Sequence, residues 1–486
     1  MDEVVDSKVS KATIWSMIGE FSRKLISPIT SMLLARLLTP DDFGIVAAIN
    51  IIISFADMFT DAGFQKYIVQ HEFKDDEEYI LSKNVAFSLN LIISLILWAI
   101  LIVFKYPFSR LIGCEDYANV LIVAGFSLIL TSFSSIQMAT FRRSLYFKPI
   151  FLARVISAVI HLIVAVPTAL ITHSYWALIF GSISENLANA VILTIMSSWK
   201  PKLFFKYDTF KNMFSFSIWT LCEQITIWFS THMSIFIVGR YLTSYYLGLF
   251  NNSITTVNQL TTLLSSTFAP VLFSVLSRLQ DNQNEYLRMY MKYMRIIACF
   301  TVPLCVGIYA YKELIVSIML GKQWGEATSF IGYLALSGSI KFVGQYTSEI
   351  YRSLGKPKLS TLVQILYIVV SIPVLTYSAK QGFEEVCTAQ VLLKFVIIVI
   401  HCLMIVFVLK MPLISFTLNV MPCYISAGIM LISSNILRMI SGSDLWQFIS
   451  VGLSGLIYFA VLWIAKNYRE EIIKPFKNKI CGMIFG

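Results

Sequence analysis

Apolar residues recur along this chain in long blocks separated by short polar connections. A helix of about 20 residues crosses the hydrocarbon core of a bilayer, which is about 30 Å thick. The blocks have this length, so the pattern predicts an all-α integral membrane protein with about fourteen transmembrane helices. The predicted spans are 13–37, 42–65, 82–104, 117–139, 150–172, 175–197, 212–239, 246–271, 291–311, 326–351, 359–379, 385–409, 413–437 and 444–466.

Composition agrees with a membrane class. Of the 486 residues 57% are hydrophobic and only 14% are charged, whereas soluble domains carry about 25% charged residues. The first dozen residues are polar and carry both signs of charge, so no cleavable signal peptide is expected. The eight cysteines form no Cys-x-x-Cys pair and the five histidines are scattered, which favours apolar filling over a disulfide frame or a metal site.

The basic residues of the short connections predict the topology. With a cytoplasmic N-terminus, 25 Lys and Arg fall on the cytoplasmic side and 7 on the other, as the positive-inside rule requires. The even number of spans then places both termini in the cytoplasm. Because the net charge of +10 is spread over alternate loops, we expect no nucleic-acid partner. The lipid bilayer is the expected surrounding.

The sequence contains an internal repeat at an offset of 204 residues. The pattern R-x-L-T-x-x-x-x-G begins at Arg36 and again at Arg240. An even number of spans separates the copies, which predicts two parallel-related six-helix lobes around a central cavity, plus two extra C-terminal helices. The predicted divisions are 1–211, 212–410 and 411–486. Taken singly, the motif residues also fit interface anchors and, at 39–42, a turn with a helix N-cap.

Charged side chains inside the spans are the candidate functional residues, because ionisable groups at membrane depth are costly and usually face protein or water. A cationic cavity is predicted from Arg23, Lys24, Arg154, Lys341 and Lys394. Such a cavity selects anions, and a phosphate or diphosphate head group fits a membrane route. Candidate groups for a coupling proton or sodium ion are Glu20, Asp57, Asp61 and Glu223.

Other interpretations of these polar positions stay open. Serine, threonine and asparagine stripes also hold helices together, and Glu20 with Arg23 fits an internal ion pair. Asp61 lies near the cytoplasmic end of its span, where water would solvate it.

Several segments together resemble the polysaccharide flippase branch of the multidrug/oligosaccharidyl-lipid/polysaccharide exporter superfamily. They are Ala35–Gly44, Phe59–Phe64 with Ile68–Gln70, Phe141–Arg143 with Phe147 and Lys148, and Ser353–Lys358. The resemblance implies alternating access, a basic lumen and no enzymatic cofactor. The implied substrate is an undecaprenyl-diphosphate-linked oligosaccharide repeat unit, which is flipped to the outer leaflet of the bacterial cytoplasmic membrane for O-antigen, capsule or exopolysaccharide synthesis, next to the polymerase machinery.

Three alternative functions compete with a flippase. A drug or cation antiporter of the same superfamily would favour an acidic or aromatic cavity. A membrane polymerase or ligase would need a sizeable non-cytoplasmic loop and a catalytic constellation, and the sequence has neither at any recognisable spacing. A structural or scrambling role is the third. The sequence therefore favours a flippase over an enzyme.

Overall fold

The fold is helical throughout the part of the chain described by the computed structural model, namely 24–61, 63–409 and 413–470 together with residues 15, 19 and 22. Helix α1 covers 24–37. The other helices are α2 Pro40–Asp61, α3 Phe64–Gln70, α4 Asp76–Val103, α5 Lys105–Leu111, α6 Ala118–Gly125, α7 Ser127–Arg143, α8 Lys148–Thr172, α9 Trp176–Met196, α10 Tyr207–Tyr241, α11 Ser244–Ser277, α12 Gln283–Ala310, α13 Lys312–Met319, α14 Ala327–Ser353, α15 Pro357–Ala379, α16 Phe383–Leu409, α17 Leu413–Ile440, α18 Asp444–Leu462 and α19 Lys466–Tyr468.

Ten helical segments among the described residues are long and apolar enough to cross a bilayer. The chain is therefore a multi-pass membrane protein, and these segments coincide with ten of the predicted spans. The other four predicted spans correspond to α1, α10, α11 and α14, which are not among the ten. The total of fourteen stays a prediction.

Several helices extend beyond the predicted spans. The connections 66–81, 198–211 and 272–290 were predicted as loops, but α3 and α4 extend into the first, and α10, α11 and α12 extend into the other two. Side-chain caps explain two of these ends. Asp75 accepts a hydrogen bond from the Glu78 backbone N–H at 2.7 Å, and Asn282 accepts one from Glu285 at 3.2 Å. Such caps satisfy backbone donors at a helix start and allow it to lie in water.

One of the predicted spans is interrupted. Span 42–65 is broken at Gly63, whose φ of 82° is a left-handed conformation that glycine adopts readily. Span 117–139 has a local irregularity at Phe126, between α6 and α7, but the backbone there keeps helical dihedral angles and Glu115–Arg143 forms one continuous segment. The Ser127 hydroxyl donates to the Ala124 carbonyl at 2.7 Å beside this irregularity.

The contacts within the chain divide it into two compact units. The first extends to Asn252 and also contains Met319–Gln323 and Leu375–Phe383; the second contains Ser253–Ile318, Trp324–Val374 and the chain from Glu384 onward. A core in the first unit joins α3, α4, α7 and α10. The core of the second unit joins α11, α12, α14, α17 and α18, with Tyr290, Tyr346 and Tyr458 among its fully buried side chains.

Candidate functional site

The two copies of the repeated motif meet in the first unit. A Cβ atom on Gly44 of α2 would lie 1.7 Å from the Ser244 carbonyl oxygen, and one on Gly248 of α11 would lie 1.8 Å from the Pro40 carbonyl oxygen. Only glycine allows two backbones to approach so closely. We call this contact between α2 and α11 the glycine crossing.

Polar contacts surround the glycine crossing. Thr39 and Asp42 form a reciprocal cap at the start of α2: the Thr39 hydroxyl donates to Asp42 Oδ2 at 2.7 Å, and the Asp42 N–H donates to the Thr39 hydroxyl at 3.3 Å. This confirms the N-cap predicted at 39–42. The Ser244 hydroxyl donates to Asp41, and Gln323 Nε2 donates to the Ala35 carbonyl at 2.6 Å. Side chains therefore bind both helix ends at this position.

Cys114 lies buried beside the same end of the unit. Its neighbour Gly113 has a φ of 72°, and a Cβ there would lie 2.6 Å from the Gly239 carbonyl oxygen of α10. Burial, with the negative charges of Asp41 and Asp116, raises the pKa of the Cys114 thiol to about 11. The thiol is therefore inert while this packing holds.

A basic pocket lies at the C-terminal end of α7, where Arg142 is part of the last helical turn. Its volume is about 240 Å³. Two arginines share it with aromatic side chains, and the pocket lining is Trp15, Gly19, Arg142, Phe147, Ile150, Phe151 and Arg154. The Trp15 and Phe151 ring centroids are 5.2 Å apart, and Lys148 Nζ lies 5.9 Å from the centroid of the Trp15 ring. Three cations therefore lie at or near one aromatic-walled pocket.

The adjacent arginines of α7 have different surroundings. Arg143 Nη1 donates to the carbonyl oxygens of Ile68, Val69 and His71, at 3.0, 3.2 and 2.6 Å, and so caps the end of α3. Arg142 instead lines the basic pocket, and its Nη1 donates to Gln65 Oε1 at 3.3 Å. Both were assigned to a loop from the sequence, but they occupy the last turn of α7.

A second cavity lies beside Phe126, the residue between α6 and α7. It has a volume of about 270 Å³ and is roomy enough for water. Helices α2, α6, α7 and α9 contribute its lining, which is Asn50, Ile53, Ser54, Asp57, Ala124, Ser127, Thr131, Ile179, Ser182, Ile183 and Asn186. We call it the polar cavity. Asp57 contributes the one ionisable side chain of this lining, and its Oδ1 accepts a hydrogen bond from the Thr131 hydroxyl at 2.9 Å.

The structure places the predicted cations in different surroundings. Arg154 lines the basic pocket. Lys24 is a partly buried residue of α1 that is not part of the pocket lining. Lys394 lies in the second unit, 5.8 Å from the Tyr367 ring centroid. Arg23 and the side chain of Lys341 lie outside the described residues.

Of the predicted acidic residues, only Asp57 has a described side chain. Glu20 lies outside the described residues, as do the side chains of Asp61 and Glu223. The hydrogen-bond partner of Asp57 and the second arginine that lines the pocket of Arg154 were missed in the sequence. Thr131 is 74 positions from Asp57, and a threonine in an apolar helix carries no signal of its own. Arg142 was visible in the Phe-Arg-Arg motif, but its helical placement was not.

Residues 33–329 match the protein family described as polysaccharide biosynthesis protein. This segment is more than half of the chain. The chain belongs to that family. Two relatives of the chain are a membrane protein and a transport protein. One is an uncharacterized membrane protein in the cps region of Klebsiella pneumoniae, 21% identical over 76% of each chain. The other is the succinoglycan biosynthesis transport protein ExoT of Rhizobium meliloti, 23% identical over 70% of this chain and 68% of the relative.

The fold of this polysaccharide biosynthesis protein is that of a solved flippase. The lipid II flippase MurJ, in an inward closed conformation, superposes with a TM-score of 0.73 at 16% identity, covering 95% of this chain and 100% of that chain. At this identity the likeness concerns the fold. The family match confirms the resemblance found in the sequence, and the chain is a multi-pass membrane protein of the polysaccharide biosynthesis family.

Proposed function

We propose that this family member flips a lipid-diphosphate-linked oligosaccharide repeat unit from the cytoplasmic to the outer leaflet of a bacterial cytoplasmic membrane, by alternating access. The lipid would be undecaprenyl, and the unit would pass to the machinery that polymerises a cell-surface polysaccharide. The observation that carries this proposal is the basic pocket, in which Arg142 and Arg154 lie together with aromatic rings.

The chemistry of the basic pocket suits a diphosphate bearing a sugar. Guanidinium groups bind phosphate oxygens through paired hydrogen bonds. Aromatic rings such as Trp15 and Phe151 offer apolar faces against which a sugar or the first lipid carbons can pack. A pocket lined by two arginines disfavours a cationic drug, so the antiporter alternative receives no support here.

The charge-based orientation gives each feature a side of the membrane. The basic pocket lies toward the cytoplasmic side, where lipid-linked precursors are made, and the glycine crossing lies toward the outer side. We infer that the glycine crossing closes the outer end while a head group binds at the basic pocket. The two predicted six-helix lobes and the fourteen spans are part of this proposal.

A reconstituted leaflet-transfer assay tests the function directly. Purified protein in vesicles receives a fluorescent undecaprenyl-diphosphate oligosaccharide, and the fraction accessible to an added glycosidase is followed with time. We expect Arg142→Ala and Arg154→Ala each to slow transfer at least tenfold, because a buried hydrogen bond to a charged group contributes about 1.5–3 kcal/mol. Arg23→Ala, Lys24→Ala and Lys341→Ala are expected to slow it as well.

The matched control is Arg288→Ala, which removes an exposed arginine of α12. It should transfer at the wild-type rate. Transfer unchanged in both pocket variants would contradict the assignment of the basic pocket. Absence of transfer by the wild-type protein, with uptake of small cationic dyes instead, would contradict the flippase proposal itself.

A further inference from the structure

The hydrogen bonds at Asp57 show a shortage of protons. Thr131 Oγ1 lies 2.9 Å from Asp57 Oδ1 and 2.9 Å from the Leu128 carbonyl oxygen. Thr60 Oγ1 lies 3.1 Å from Asp57 Oδ1 and 2.7 Å from the Asp57 carbonyl oxygen. Each hydroxyl carries one proton. With Asp57 ionised, two protons therefore serve four acceptor contacts.

A proton on Asp57 reduces this shortage, because three protons then serve the four contacts and the 3.1 Å contact between Thr60 Oγ1 and Asp57 Oδ1 is left without one. The carboxylic O–H at Oδ1 then donates to Thr131 Oγ1, and Thr131 keeps its own proton on the Leu128 carbonyl. Thr60 likewise keeps its proton on the Asp57 carbonyl. In this step one O–H bond of a hydronium ion from the aqueous phase breaks and one O–H bond forms on Asp57 Oδ1, which leaves a neutral water molecule.

The electrostatic surroundings favour the same state. Among the described residues no cationic side chain lies within 4 Å of Asp57, and no protein donor reaches Oδ2. Asp57 lies 17 residues after Pro40, about 26 Å along α2 at 1.5 Å per residue, and four residues before α2 ends at Asp61. It therefore lies toward one end of the span. The absence of a cationic partner, rather than depth in the bilayer, favours the neutral carboxyl group.

The neighbouring helices contribute few other titratable groups. Helices α4, α6 and α7 present none at the polar cavity. On α9, Glu185 Oε2 pairs with His161 Nδ1 of α8 at 3.0 Å. Neither is part of the cavity lining. On α10, His232 stacks on Trp228 with ring centroids 5.3 Å apart, and the side chain of Glu223 lies outside the described residues.

Asp57 lies one helical turn from a contact between α2 and α10. One turn before Asp57, the Ser54 hydroxyl accepts a hydrogen bond from Trp228 Nε1 of α10 at 3.0 Å. The Phe55 ring packs on Trp228 with centroids 4.8 Å apart. Charge at Asp57 thus acts on the segment of α2 that holds α10.

From this geometry we propose that Asp57, with Thr131 and Thr60, is a proton-binding site in the polar cavity, and that the proton it takes up is the ion coupled to transport. The coupling rests on the proposed function, whereas proton binding does not. Of the four acidic candidates and the two candidate ions, the proposal selects Asp57 and a proton.

Infrared difference spectroscopy of the purified full-length protein tests proton binding without any substrate. A pH step from alkaline to acidic should produce the carbonyl stretch of a protonated carboxylic acid. Asp57→Asn should lose that band, Asp57→Glu should retain it at a shifted frequency, and the matched control Glu185→Gln should keep the Asp57 band. Monodisperse elution in detergent shows that each variant folds.

A second measurement tests coupling. Vesicles containing the protein and a pH-sensitive dye receive an acid pulse together with the undecaprenyl-diphosphate oligosaccharide. Proton entry that depends on the lipid in the wild type, and is lost in Asp57→Asn, supports coupling. Loss of the infrared band on adding NaCl at constant pH would overturn the proton in favour of sodium, and a band unchanged in Asp57→Asn would overturn the site. Neither result bears on the proposed flippase function, because lipid transfer is measured in the separate leaflet-transfer assay.

Discussion

Alanine at the glycine crossing should open the end of the first unit at which the two motif copies meet. Gly44→Ala places a methyl group 1.7 Å from the Ser244 carbonyl oxygen, whereas ordinary contacts begin at 3.4 Å. The atom in the way belongs to backbone, so no side-chain rotation relieves the clash. Helices α2 and α11 must separate by about 1.7 Å at this point.

The expected cost follows from overpacking in other cores. Forcing a methyl group into a packed interior costs about 1–3 kcal/mol. About 2 kcal/mol lost from the closed arrangement shifts the ratio of closed to open molecules about thirtyfold. If the crossing separates during transport, as alternating access requires, the variant shifts toward the open state without unfolding.

Cys114 provides the assay. In a background that keeps this cysteine and replaces the other seven with alanine, a membrane-impermeant maleimide reports its exposure. The thiol is only 5% exposed, and its pKa is raised from 9.0 to about 11. A return to the ordinary pKa increases the thiolate fraction at neutral pH about a hundredfold, since each pKa unit is a factor of ten. We expect labelling of Gly44→Ala to be at least tenfold faster than in the parent.

The control is Gly455→Ala in α18, where a Cβ would meet nothing within 4 Å. Such a change should leave labelling unchanged and stabilise the helix by about 0.5–1 kcal/mol. If Gly44→Ala labels at the same rate as this control and unfolds at the same temperature, the glycine crossing is not a tight closure and the reasoning fails.

Two further predictions concern stability in detergent, measured as the thermal unfolding midpoint. Thr39→Ala removes the reciprocal cap of α2 and should cost about 1 kcal/mol; Thr388→Ala, an exposed threonine within α16, should have little effect, and equal shifts would contradict the capping role. Arg143→Ala removes three bonds to carbonyl oxygens of α3 and should cost about 2 kcal/mol, with Arg142→Ala much milder. The reverse order would refute the division of roles between the two arginines.

The sequence predicted helices well wherever apolarity is continuous. Block lengths alone placed α8, α9 and α15 within two residues of their ends, because a bilayer demands an unbroken apolar segment. The break at Gly63 was not predicted, because hydropathy alone does not show a left-handed backbone conformation. Helix extensions with a side-chain cap, such as the start of α12, were missed because an apolar block shows only the part of a helix that lies in the bilayer.

The candidate site was predicted only in part. Asp57 and Arg154 were found because a charge stands out in an apolar segment. Thr131, which bonds Asp57, and Arg142, which lines the same pocket as Arg154, were not found. Neighbours on other helices depend on rotation and register that a single sequence does not contain. The repeat was found in the sequence, but the close approach of Gly44 to Gly248 is seen only in the packed helices.

The reciprocal contact at the glycine crossing has a consequence for the origin of the chain. Gly44 touches Ser244, and Gly248 touches Pro40, the counterparts of each other at the repeat offset. Such exchange is the signature of an isologous interface, as between two identical subunits. This is the arrangement expected if the two halves descend from one half-length chain whose surface was complementary to itself. The two halves are no longer equivalent, since Asp41 bonds Ser244 while the counterpart of Asp41 is Tyr245.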